Sequence, residues 1–270
     1  MFVHSISLLG KRPTNEDKHL VFLNIDNNNT NLAPINLFCV FDGHGGNKVS
    51  TFLKKFLPSY FIKKDVEYPI PKSLIQEISD RLQKKIKLVL GKHADNMGST
   101  CLVIVQYQKN NKYYLQIVNS GDSRAVINQS NLAIPLTKDH KPDWFDEKNR
   151  ITQLGGTIKI DEAGDWRVNE ISVSRAFGDA TSEPFITHRP EIFNRQLCND
   201  DKFIILACDG LWDVLTNQDA VNFILEQMFI DKNTGLLLCK DKRKNIARLL
   251  ADYAIAKGSQ DNITVIIVFL

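Results

Sequence analysis

Ile35-Asn36-Leu37-Phe38-Cys39-Val40-Phe41-Asp42-Gly43-His44-Gly45-Gly46 is a nearly unbroken apolar run that stops on an acid and then turns through glycine. The apolar part is too short and too continuous for an amphipathic helix and reads as a buried strand. Three further runs have the same form: Leu20 to Ile25 behind Glu16, Phe203 to Cys208 ahead of Asp209, and Ile263 to Phe269 behind Asp261. In an antiparallel pair the end of one strand lies beside the start of its neighbour. Two aspartates at strand ends and two acids at strand starts therefore share one rim. Four carboxylates gathered there repel one another, and hard divalent cations such as Mg²⁺ or Mn²⁺, which prefer oxygen ligands, relieve the repulsion. The pattern predicts a metal site.

Working outward, the connections do not alternate as βαβ units. The Asn-rich stretch Asn27 to Asn31 predicts a flexible hairpin connection between the first two runs. Val49, Phe52, Leu53, Phe56, Leu57 and Tyr60 then recur at helical spacing. Leu74, Ile75, Ile78, Leu82, Ile86 and Val89 do the same behind a Ser73/Gln76 capping-box pattern. Thr100 to Gln106, Tyr113 to Asn119, Arg124 to Asn128 and Leu132 to Leu136, punctuated by Asn and Gly, predict an antiparallel meander. Asp146 to Leu154 reads as a short helix stopped at Gly155-Gly156, inside a flap-like surface insertion at about 143–173. Thr216 with Asp219 opens one further helix, and Ile246, Leu249, Leu250 and Tyr253 mark another. The expected fold is α+β: two antiparallel sheets face to face with helix pairs on their outer faces.

Composition sets the class. The 270 residues, 43% hydrophobic and 24% charged, fit one globular domain spanning 1–270. A net charge of +3, from 34 basic and 31 acidic residues, argues against nucleic acid as the partner. The five cysteines include no Cys-x-x-Cys pair, and Cys39, Cys101 and Cys208 lie inside apolar runs, which predicts free thiols in a reducing compartment. Met1 to Leu9 lacks the basic start of a signal peptide, and no run approaches the ~20 apolar residues of a membrane span. A soluble monomer of the cytoplasm, the nucleus or both, with no membrane partner, is expected.

Individual residues suggest the chemistry. Glycines after Asp42 let a ligand approach the main chain, so the Gly43 carbonyl is a candidate ligand. His44, two residues beyond Asp42, is placed to donate a proton to a leaving oxygen near neutral pH. His140 has the weaker case and is read as ordering a turn. Arg12, four residues before Glu16, offers a guanidinium fork that matches phosphate oxygens.

These segments stand in a familiar order: Gly10-Lys11-Arg12 with Glu16-Asp17, Asp42-Gly43-His44-Gly45-Gly46, Gly98-Ser99-Thr100, Asn119-Ser120-Gly121-Asp122-Ser123-Arg124, Asp139-His140-Lys141-Pro142, Ser174-Arg175-Ala176-Phe177-Gly178-Asp179, Asp209-Gly210-Leu211-Trp212-Asp213 and Asp261-Asn262-Ile263-Thr264. The chain resembles the metal-dependent type 2C protein serine/threonine phosphatases from about Ser7 to Phe269. The resemblance implies a four-layer α-β-β-α sandwich with metals in a cleft at one end. It implies two Mg²⁺ or Mn²⁺ ions bridged by Asp42, one also held by Glu16 and the Gly43 carbonyl and the other by Asp209 and Asp261. A weaker third ion would lie on Asp122, Asp209 and Asp213, with Arg12 binding phosphate and His44 as general acid. The implied reaction is hydrolysis of phosphoserine and phosphothreonine in phosphoprotein substrates by a metal-activated water, without a phosphoenzyme. The alternative is a catalytically silent module of the same fold that binds phosphoproteins or a receptor. Glu170 departs from the family pattern, where a small residue is usual, and its charge beside the site is expected to alter phosphopeptide preference.

Overall fold

The computed structural model describes residues 1–26, 34–62, 66–231, 236–237 and 244–270. Two five-stranded sheets form its centre. From edge to edge the first contains Glu191–Gln196, Lys112–Ser120, Cys101–Lys109, Ile35–Phe41 and Lys18–Ile25. The second contains Phe2–Leu8, Ile263–Phe269, Asp201–Ala207, Arg124–Gln129 and Leu132–Pro135. Every pairing within them is antiparallel.

The continuous apolar run at 35–41 now has its cause. Phe38 and Val40 point between the sheets and pack with Leu102, Ile104, Ile204, Leu206 and Ile266. Leu37, Cys39 and Phe41 point outward, beneath the helices Lys48–Phe56 and Lys72–Leu90. A strand covered on both faces has no solvent side on which to place polar residues. The second sheet is likewise covered outside by Asn217–Met228 and Ile246–Ala256. The four layers are helix, sheet, sheet, helix.

Several local readings shift. The stripe from Val49 to Tyr60 is two helices, Lys48–Phe56 and Pro58–Phe61, because Pro58 has no N–H to continue the first and instead opens the second. Ser73 does not cap. The helix Lys72–Leu90 already starts behind Pro71, whose carbonyl accepts from Ile75 N–H at 3.0 Å, leaving Ser73 within the first turn. The Thr216/Asp219 box does form: Asp219 N–H donates to Thr216 Oγ1 at 3.1 Å, and Thr216 N–H donates to Asp219 Oδ2 at 3.2 Å. Two strands of the five-stranded sheets have no counterpart in the sequence reading. Phe2–Leu8 pairs residue for residue with Ile263–Phe269. Glu191–Gln196 is a polar edge strand, too charged to show apolar periodicity. The proposed hairpin connection at Asn27–Asn31 lies outside the described residues. Cys39, Cys101 and Cys208 are buried free thiols, and Cys198 is an exposed one. Among the described residues, no helix is long and apolar enough to cross a membrane.

The segment after the meander carries the helix Phe145–Gln153 and a small hairpin, Lys159–Ile160 with Trp166–Arg167. It has its own apolar cluster of Ile151, Val168, Val173, Ala176 and Ile186. Buried Glu147 anchors it, accepting from Arg175 Nε at 3.0 Å and from Arg150 Nη2 at 2.9 Å. Burial pushes this carboxyl up, but the Arg175 hydrogen bonds and charge, with Arg150, outweigh burial and hold it down at about 2. Because the folded value lies below the ordinary 4.5, the stabilisation is complete above about pH 4.5 and fades as pH falls toward 2. Glu147→Gln is therefore expected to lower stability by up to about 3 kcal/mol at pH 7. In urea titrations this deficit should close between pH 5 and 2, and a deficit independent of pH would remove the ion pairs as its source.

Candidate active site

A cleft of about 900 Å³ opens where the strand ends of both sheets meet, lined by Arg12, Glu16, Asp42, Gly43, His44, Asp122, Asp209 and Asp261. Asp42 follows the strand Ile35–Phe41 and is fixed by a reciprocal pair: its N–H donates to Thr100 Oγ1 at 3.0 Å, and Thr100 N–H donates to its carbonyl at 2.8 Å. Asp209 begins the short helix that follows the strand Asp201–Ala207. Glu16 is gripped from several sides, with Gly46 N–H donating to Oε2 at 2.9 Å and Asn262 Oδ1 accepting from its N–H at 2.9 Å. Gly43 has no room for a side chain, since a Cβ would stand 2.5 Å from the Glu16 carbonyl oxygen.

Carboxylate oxygens of Asp42, Asp122 and Asp209 lie within 4.8 Å of one another. Burial raises the Asp42 carboxyl far above its ordinary value, and Asp209, Asp17, Asp122 and Asp261 raise it further. Asp209 is raised in the same way, by burial, then Asp122 and Asp213, against a lowering by Lys141. An all-oxygen, strongly repelling donor set of this kind fits hard divalent cations. Asp213 lies one turn beyond Asp209, lining a neighbouring hollow with Arg124 and Trp212 while remaining in electrostatic reach of Asp209. Arg12 reaches the cleft, but its Nη2 is paired with Asp261 Oδ2 at 2.6 Å rather than held open for an anion.

His44 shares a small three-stranded sheet with Gly98-Ser99 and Phe177-Gly178. Its Nε2 meets Oδ2 of Asp179 at 2.8 Å; His44 is 33% exposed and Asp179 1%. Burial lowers the imidazole, yet the Asp179 hydrogen bond and charge, with Asp122 and Glu16 behind, raise it overall. Gly98 is what lets these two side chains meet, because a Cβ there would lie 2.1 Å from Asp179 Oδ2 and 2.3 Å from His44 Nε2. His140 is buried beside the Gly121 turn, where Nδ1 lies 3.1 Å from Gly121 N and 3.0 Å from its carbonyl oxygen, so it orders the turn that carries Asp122.

Glu170 lines the same cleft, with Arg167, Asn169 and Ile171. Val168 and Ile171 exchange N–H···O bonds of 3.0 Å, making Asn169-Glu170 a two-residue turn with φ of +49° and +66°. A glutamate held in this left-handed region is unusual, because Asn and Gly tolerate it far better.

The profile of the family described as protein phosphatase 2C matches residues 3–263. The chain belongs to this family. Protein phosphatase 2C relatives include a PP2C-like domain-containing protein of Acanthamoeba polyphaga mimivirus, 48% identical over 168 residues that make up 57% of this chain and 93% of that protein. "Probable protein phosphatase 2C 52" of Oryza sativa subsp. japonica is 35% identical over 264 residues, 97% of this chain and 49% of its own length. The chain thus spans about half the length of that plant relative. The crystal structure of serine-threonine phosphatase 2C from Toxoplasma gondii superimposes with a TM-score of 0.78 at 20% identity, covering 99% of this chain and 94% of that one. The protein phosphatase 2C fold is therefore present, with the mixed helix and antiparallel-sheet sandwich expected.

Four residues to which the sequence reading gave no role belong to this site. Asp17 is buried, accepts from Thr264 Oγ1 at 2.7 Å, and groups with Asp42 and Cys208. Burial raises its carboxyl to about 6. The pairing of Lys18 with Phe41 sets Asp17 level with Asp42, a signal available once that register is assumed. Asp179 orients His44, and Lys141 pairs with Asp122. Asn262 donates from Nδ2 to the carbonyls of Leu9 at 2.8 Å and Thr14 at 2.9 Å, fastening the loop that carries Arg12 and Glu16. The last three act through tertiary contacts, and no local pattern announces them.

Proposed function

We propose that the protein hydrolyses phosphoserine and phosphothreonine monoesters in phosphoproteins, using two Mg²⁺ or Mn²⁺ ions and no phosphoenzyme. The convergence of Glu16, Asp42, Asp209 and Asp261 with Arg12 and a His44–Asp179 pair on one cleft carries this reading. Glu16, Asp42, the Gly43 carbonyl, Asp209 and Asp261 would hold the two ions, with Asp122, Asp209 and Asp213 available to a weaker third. Bound there, the cations supply a water that is nucleophilic at neutral pH and charge to offset the phosphoryl oxygens. Arg12, freed from Asp261, offers its guanidinium fork to those oxygens. Asp179 holds the His44 ring and favours its protonated form, which leaves Nδ1 as the nitrogen from which a proton reaches the departing Ser or Thr oxygen. A silent binding module has no need of this intact acidic set.

The test is hydrolysis of phosphothreonine peptides and p-nitrophenyl phosphate with Mn²⁺, abolished by chelator. Activity that survives chelation overturns the reading, as does none with Mn²⁺. The same assay addresses Glu170 on the cleft wall. Glu170→Gly removes the carboxylate and suits the left-handed turn. It is expected to raise kcat/KM about two- to fivefold for peptides with acidic flanks at low salt, and to leave p-nitrophenyl phosphate unchanged. Equal effects on acidic and basic flanks would remove Glu170 as a selector.

A further inference from the structure

Lys141 stands beside the acidic corner of the cleft and has no part in the proposed chemistry. Its Nζ bonds Oδ2 of Asp122, a carboxylate only 2% exposed. That carboxylate belongs to the corner where Asp42, Asp122 and Asp209 converge, with Asp213 in electrostatic reach. Other cations near the cleft have partners of their own, Arg167 pairing with Asp161. Arg124 binds Asp139 through Nε–Oδ1 at 2.9 Å and Nη2–Oδ2 at 2.6 Å, and Arg12 binds Asp261. The Lys141 stem rises from a fixed backbone. His140 N–H donates to the Gly121 carbonyl at 3.1 Å, Ser174 N–H to the His140 carbonyl at 2.8 Å, and Trp144 N–H to the Lys141 carbonyl at 3.2 Å. Asp122 is fixed as well, since its turn is held by His140 and by Asn119 Nδ2, which donates to the Gly121 carbonyl at 3.1 Å.

We propose that Lys141 is a tethered counter-cation that neutralises Asp122 in the metal-free protein and competes with the weakest-bound divalent ion for that carboxylate. The proposal rests on the metal-dependent reading above and deepens it. An ammonium and a divalent ion cannot both occupy Asp122 Oδ2, and side by side they repel, so an ion entering this corner must first push Nζ away. The ammonium carries half the charge of the ion it opposes and cannot leave the site. It is therefore present at an effective concentration independent of the bulk, and the affinity of this corner is set by an exchange rather than by the carboxylates alone. The two tighter ions, on Glu16, Asp42, Gly43, Asp209 and Asp261, do not require Asp122 and escape the competition.

Mn²⁺ binding, read by the electron paramagnetic resonance signal of the free ion at constant pH, tests the idea on the whole chain. Lys141→Met keeps the stem and removes the charge. It is expected to tighten the weakest site by about tenfold or more while leaving the tighter sites alone. Lys141→Arg, which retains the charge, should stay close to wild type. A purely structural lysine predicts the opposite sign, a weaker site in Lys141→Met. A second measurement needs no variant: acetylation of Lys141 in the wild type, followed by mass spectrometry, should rise as Mn²⁺ fills the weakest site. An unchanged or weakened last site in Lys141→Met, or Lys141 reactivity indifferent to Mn²⁺, overturns the proposal. A wild type that binds no Mn²⁺ at all would instead sink the metal-dependent reading beneath it.

Discussion

Asp42→Asn should lose turnover by at least about three orders of magnitude, equivalent to about 4 kcal/mol of transition-state stabilisation, while its fold persists. Asp42 is a carboxylate whose charge Asp209, Asp17, Asp122 and Asp261 all oppose, and the reading above assigns it to both cations. The amide keeps the shape and the backbone pair with Thr100 but removes the charge that the cations require. In the absence of metal the same substitution relieves repulsion with Asp209, Asp17, Asp122 and Asp261. The urea midpoint measured in chelator should therefore be unchanged or higher. Turnover within tenfold of wild type at saturating Mn²⁺ would remove Asp42 from the metal site. A collapsed midpoint would make its role structural.

His44→Ala is expected to slow hydrolysis of a phosphothreonine peptide by on the order of 10² to 10⁴, the range of general acid catalysis. The loss should be small for p-nitrophenyl phosphate, because a phenolate departs without a proton. Asp179→Asn should follow the same pattern more weakly: the amide still reaches His44 but no longer favours the imidazolium. In the pH profile of kcat/KM on the peptide, the basic limb of the Asp179 variant should move to lower pH, since the pair raises the wild-type imidazole. Equal losses of His44→Ala on both substrates would mean that the ring orders the site and does not supply a proton.

How far the residues themselves disclosed this site depends on where the information lies. Asp42, Asp209, Asp261 and Glu16 were legible because each punctuates a run apolar enough to declare a strand, and antiparallel geometry brings such punctuation to one rim. The sandwich was legible for the same reason: runs buried on both faces require cover on both faces. The edge strand Glu191–Gln196 was not, because half-exposed positions relax the hydrophobic pattern. Nor was the start of the helix Lys72–Leu90, where a serine and a glutamine at capping distance mimic a signal that the backbone places two residues earlier. Asp179 lies 135 residues from His44, and nothing local distinguishes it from an aspartate in a turn. Arg12 shows the converse limit: its residue type suits a phosphate, while its partner in the fold, Asp261, is 249 residues away in the sequence.

The pairing of Phe2–Leu8 with Ile263–Phe269, reinforced by Asn262 holding Leu9, Thr14 and Glu16, imposes an order on the protein's biosynthesis. Residues 2–8 leave the ribosome long before their partners at 263–269. Until residues 261–269 emerge, Arg12 lacks Asp261 and Glu16 lacks its bond to Asn262. A growing polypeptide can therefore collapse much of its core and still lack the cleft. The cleft is completed only once translation has run through residue 269.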